Sequence, residues 1–81
     1  MKKHRELLAK ILSGEVTRIN VSDPVAMQLR EGELIQVRTS SLDDAGTVLC
    51  RASPTVTSAE QAAIFDAPPP PALLSAIRGH N

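Results

Sequence analysis

The sequence predicts a small α+β domain in which an antiparallel β-hairpin packs on short helices, with a further helix after a proline run. Three observations carry that expectation. Residues 4–13 hold an apolar stripe at helical spacing, residues 34–39 and 47–52 have strand composition on either side of a polar turn, and Pro68 to Pro71 separate a last apolar stripe from the rest. At 81 residues and 42% hydrophobic content, the chain has room for one modest core and no second domain of ordinary size. The boundaries expected are a domain over 1–66, a spacer over 67–71 and a helical tail over 72–81.

The first helix rests on Leu7, Leu8, Ile11 and Leu12, which fall on one side of a 3.6-residue period, with Gly14 just past the end. Residues 16–21 come next as a short strand, β-branched at four of six positions, with Thr17, Ile19 and Val21 sharing a face. Ser22-Asp23-Pro24 then announces a helix start. A side-chain oxygen there accepts a free backbone N–H, and proline is tolerated where no intrahelical donor is needed. Val25, Ala26 and Leu29 face inward along this brief helix, and Gly32 ends it.

The hairpin comes after Gly32. Its strands are residues 34–39 and 47–52, the second with Val48, Cys50 and Ala52 on one face, and residues 40–46 form the polar tip. Thr57-Ser58-Ala59-Glu60 matches a capping box, predicting a helix through Phe65 with apolar surface from Ala62, Ile64 and Phe65. Four successive prolines stop it and read as a stiff spacer. The closing helix, residues 72–78, repeats the stripe through Leu73, Leu74 and Ile77.

Composition removes several functions. The chain has one aromatic residue, Phe65, and no Trp or Tyr, so it lacks stacking platforms for single-stranded nucleic acid and the usual anchors of protein interfaces. Nine basic and nine acidic side chains balance, although Lys2, Lys3, Arg5 and Lys10 make the first ten residues basic and Asp43, Asp44, Glu60 and Asp66 make the later half acidic. A lone cysteine cannot form an intramolecular disulfide, which fits a reducing, cytoplasmic compartment. No apolar run approaches the roughly 18 residues of a membrane span, so no membrane partner is expected.

Catalytic and metal chemistry find no constellation. His4 and His80 sit near opposite ends, no metal-ligand spacing links them to Cys50, and the four glycines form neither a dinucleotide fingerprint nor a phosphate loop. Cys50 lies on an apolar strand face, where a thiol is a poor nucleophile. Asp43 and Asp44 adjoin a glycine in a turn, where aspartate serves local hydrogen bonding. The expectation is a protein that is not an enzyme, with no catalytic residues, no cofactor, no metal and no small-molecule substrate. Its small core makes a homodimer the natural way to gain burial.

The element order resembles a degenerate winged-helix domain. Residues 8–14 are similar to the end of that family's first helix, residues 26–35 to its passage from recognition helix into wing, and residues 57–64 to the threonine-capped helix after the wing. Residues 22–32 leave room for one helix where the family has two. A weaker likeness, carried by residues 18–24 and 30–37, is to swapped-hairpin antitoxins and transition-state regulators, which are obligate dimers.

The winged-helix resemblance implies a small regulator that binds duplex DNA as a dimer. Arg18, Gln28 and Arg30 would lie on the groove side, Arg38 or Arg51 would flank the wing, and Lys2, Lys3 and Arg5 would add phosphate contacts. The alternative is a protein-binding adaptor or inhibitor of phage or plasmid type. There Leu73, Leu74 and Ile77, carried beyond the proline spacer, would meet a larger protein.

Overall fold

The computed structural model describes residues 2–67. The proline spacer and the tail with Leu73, Leu74 and Ile77 lie outside them. The order is α1 (Lys3–Ser13), β1 (Arg18–Asn20), α2 (Pro24–Glu31), β2 (Ile35–Arg38), β3 (Thr47–Ala52) and a one-turn α3 (Ala63–Asp66), with 3-10 turns at Thr39–Ser41 and Ala59–Ala62. The protein is therefore a small α+β domain.

β2 and β3 form the expected antiparallel hairpin, and β1 adds itself to the far side of β3, so the sheet order is β1-β3-β2. Register is set by the buried alternation. Ile19 pairs with Val48, Val37 with Cys50 and Ile35 with Ala52, which brings the apolar members of all three strands to one face. Leu8 and Ile11 of α1, Ala26 and Leu29 of α2, and then Val56 and Ala62 cover that face and complete the core. Leu8, Leu29 and Val48 are fully buried. Truncating either leucine to alanine costs about 2–5 kcal/mol in such a setting, a large share of a small domain's stability.

Local chemistry explains where elements begin and end, and it corrects three expectations. β1 is shorter than residues 16–21. The Val16 N–H returns to Lys10 O at 3.1 Å, while Asn20 Oδ1 accepts from Ser22 N at 2.8 Å and bends the chain. Val21 consequently leaves the Ile19 face and is 44% exposed.

α2 starts as expected, with Asp23 accepting from Val25 N at 3.0 Å and Pro24 in the first turn. It also ends at Gly32, as expected. The left-handed residue beyond it is Glu33 (φ 62°), and the amides of Glu33 and Leu34 bond back to Arg30 O and Leu29 O at 2.9 and 3.0 Å in a Schellman closure.

The cap before α3 is shifted by one residue. Ser58 accepts from Glu60 N, and Gln61 reaches back to the amides of Ser58 and Thr57 at 3.1 and 2.7 Å. Beyond this cap the chain makes a 3-10 turn and a single α turn rather than one helix. Ala67 is extended (φ −80°, ψ 143°), as the residue before a proline prefers.

Candidate functional site

The sheet has a second face, and it carries three of the eight polar side chains that the sequence singled out for DNA contact. Side chains alternate along a strand, so with Ile19, Val48 and Ile35 turned inward, Arg18 of β1, Leu49 and Arg51 of β3, and Gln36 and Arg38 of β2 stand on the outer face. Arg18 and Arg38 flank Leu49 directly in register. Leu49 is 39% exposed between them. Arg51 pairs with Gln36, and its Nε donates to Gln36 Oε1 at 3.1 Å. A shallow, open concavity of about 580 Å³ lies here, lined by Gln36, Arg38, Ser40, Leu49 and Arg51 among others.

The three guanidiniums are not equivalent. Arg18 Nη1 is tied to the hairpin tip, donating to Ser41 O at 3.2 Å, to Thr47 O and Oγ1 at 3.3 Å, and lying 3.4 Å from Asp43 Oδ2. Asp43 in turn organises the tip. It accepts from the Thr47 amide at 2.9 Å, the Thr47 hydroxyl at 2.8 Å and the Ala45 amide at 3.1 Å. These bonds, the Thr47 amide first, hold its carboxyl below the usual aspartate value, with the Arg18 charge assisting. Neither Arg38 nor Arg51 has an acidic ion-pair partner among the described residues.

The remaining predicted contacts lie elsewhere. Arg5 is half-buried and committed to Asp66 and Glu60, with Nη1 3.3 Å from Glu60 Oε2. Gln28 spends its carbonyl oxygen on His4 Nε2. Arg30 is exposed at the end of α2, off the strands that carry the sheet arginines, and lines a second concavity with Glu33 and Gln36. Lys2 and Lys3 are exposed at the start of α1.

One cluster escaped the sequence. His4 is 9% exposed and lies 5.5 Å from the Phe65 ring in a stacked arrangement. Its Nδ1 donates to Asp66 Oδ1 at 2.7 Å, and Nε2 meets Gln28 Oε1. Both ring nitrogens lie against side-chain partners, so neither faces a bound molecule. The usable signal was helical spacing: His4 precedes Leu8 by one turn and so belongs to the buried stripe.

Cys50 is half-buried, and that burial pushes its thiol above the ordinary value, the reverse of what activates a nucleophile. Among the described residues no three His, Cys, Asp or Glu side chains come together as a metal site, and no helix is long and apolar enough to cross a membrane. No protein-family model, curated protein or solved structure matches the chain.

Proposed function

We propose that this chain is a small, non-catalytic DNA-binding regulatory protein that acts as a homodimer and meets phosphates through the outer face of its sheet. One observation carries the reading: Arg18, Arg38 and Arg51 share one exposed face, and two of them have no acidic partner among the described residues. Guanidinium groups recognise phosphate oxygens through paired donors. The hairpin corresponds to the wing of the winged-helix resemblance, and Arg38 and Arg51 lie on its two strands. α2 supports the reading less, because Gln28 is held by His4 and Glu31 and Glu33 oppose phosphate approach.

Fluorescence anisotropy with a mixed-sequence duplex, taken from about 50 to about 200 mM salt, tests it. The wild-type chain binds with an affinity that falls steeply with salt. The double variant Arg38→Ala/Arg51→Ala binds more weakly, with a log–log salt slope shallower by about 2. No binding at the lowest salt, or an unchanged slope in the double variant, overturns the reading.

A further inference from the structure

From the geometry of the hairpin tip we infer that Arg18 is a phosphate-binding residue whose guanidinium is aimed by Asp43, a positioning residue that touches no ligand itself. Every tip contact of Arg18 runs through a single nitrogen. Nη1 faces Ser41 O, Thr47 O, Thr47 Oγ1 and Asp43 Oδ2 at 3.2 to 3.4 Å. Nη1 lies on the Cδ side of the guanidinium, so the N–H groups of Nε and Nη2 point the same way and make the side-on fork that matches two phosphate oxygens. Neither Nε nor Nη2 has a partner among the described residues. The side chain is exposed on the outer face beside Leu49, which leaves that fork to a ligand.

Asp43 is fit to aim Arg18 because it is itself fixed. Its Oδ1 takes the Ala45 and Thr47 amides at 3.1 and 2.9 Å and its Oδ2 the Thr47 hydroxyl at 2.8 Å, so Arg18, at 3.4 Å, is the longest of its contacts. An exposed ion pair of that length adds little to stability. With the two carbonyls it nonetheless directs the end of a long side chain, and an arginine held in this way has less rotamer freedom left to lose when an anion arrives. Arg38 and Arg51 have no such tether, and the concavity they line does not include Arg18. The outer face thus sets a fixed fork on the β1 side of Leu49 and an acid-free guanidinium, that of Arg38, on the β2 side.

Charge and aim give opposite signs for Asp43→Asn. Asparagine keeps an oxygen for the two turn amides and donates to the Thr47 hydroxyl, but its amide nitrogen does not accept from Arg18. Coulomb attraction alone makes this variant bind phosphate more tightly, because a carboxylate beside the fork is gone. Loss of aim makes it bind more weakly. The inference deepens the reading of the outer face as a DNA surface and rests on that reading only for the source of the phosphate.

The test is NMR of the full chain with labelled arginine side chains, titrated with inorganic phosphate and, separately, with chloride at equal ionic strength. In the wild type the Arg18 Nε–H signal moves with phosphate and not with chloride. In Asp43→Asn the phosphate midpoint rises about 2- to 10-fold, the cost of ordering one long side chain. Should Asp43→Asn fail to fold by circular dichroism, Asp43→Ser, whose hydroxyl accepts a turn amide but carries no charge, takes its place with the same expected rise. Arg18→Lys keeps the charge without the fork, and its midpoint, followed on the backbone amides of residues 47–49, rises at least as far.

An Arg18 signal that phosphate moves no more than chloride does, a midpoint in the folded Asp43 variant equal to or below the wild-type value, or a wild-type midpoint in Arg18→Lys overturns the inference. Duplex DNA separates the two readings. An Arg18 response to phosphate in a chain that binds no duplex defeats the DNA reading alone, and duplex binding that leaves the Arg18 signal unmoved defeats this inference alone.

Discussion

Asp66 caps the start of α1 from 62 positions beyond His4: its Oδ1 accepts from the His4 backbone amide at 3.0 Å and from His4 Nδ1 at 2.7 Å. Its Oδ2 takes the Arg5 amide at 3.1 Å. Lys2, the residue in the cap position, supplies no side-chain acceptor, so the orphan amides of α1 depend on the far end of the domain. Asp66→Ala releases those amides and the His4 ring together. Thermal unfolding is expected to show a lower Tm than the wild type, with a drop well beyond that of an exposed substitution such as Glu15→Ala. Asp66→Asn keeps an acceptor and loses less.

Acid sensitivity arises from the same carboxylate. Burial works to raise the Asp66 pKa, but the His4 amide and imidazole, the Arg5 amide and the His4 charge outweigh it and hold the group below its ordinary 3.8. Asp43 is lowered as well, by its bonds to Thr47. A carboxyl with a depressed folded-state pKa stays ionised in the native state while the unfolded chain takes up the proton, so its stabilisation is complete above 3.8 and is lost as pH falls below it. Melting temperature against pH should therefore fall on the acid side of about 3.8. Asp66→Asn should flatten that limb, and an acid limb as steep in Asp66→Asn as in the wild type would refute the assignment.

Gly32 and Glu33 have exchanged the roles their types suggest. Gly32 has an ordinary φ near −78°, yet a Cβ there would lie 2.6 Å from Phe65 Cζ. It is small so that the Phe65 ring can pack against the end of α2. Glu33 holds the left-handed conformation, which costs an L-residue about 1–2 kcal/mol. Gly32→Ala is expected to destabilise by about 1–3 kcal/mol through overpacking. Glu33→Gly is expected to stabilise by about 0.5–1 kcal/mol, after the extra entropy of an unfolded glycine is deducted. Urea titrations of both variants check the opposite signs.

That exchange shows what the sequence could disclose. Gly32 marks the end of α2 to within a residue, because a glycine after an amphipathic run has one common meaning. That position 32 has no room for a Cβ depends on Phe65, 33 positions away. The hairpin was legible for a similar reason. Its register comes from strict alternation in Thr47–Ala52 and a polar tip, whereas the addition of β1 to β3 is a long-range choice that Ile19 makes by meeting Val48. The arginines of the candidate face were visible as residues, but their gathering required the sheet order. The His4 cluster was hidden because its partners lie 24 and 62 positions from it.

Ser41 closes the hairpin in a way that composition does not reveal. Its hydroxyl donates to Arg38 O at 2.5 Å and accepts from Leu49 N at 2.7 Å, standing between the two strands where Arg38 and Leu49 face each other in register. One side chain thus satisfies the last carbonyl of β2 and an amide of β3 while the 3-10 turn carries the backbone away. Ser41→Ala leaves both groups to water, at a cost of about 1 kcal/mol, and Ser41→Thr, which retains the hydroxyl, costs less. Hydrogen exchange locates the effect. Protection of the Leu49 amide should fall in Ser41→Ala, while the Cys50 amide, bonded at 2.9 Å to Thr17 O on the other side of β3, should change only as far as global stability does. Equal loss at both amides would mean that the serine supports the whole domain rather than this junction.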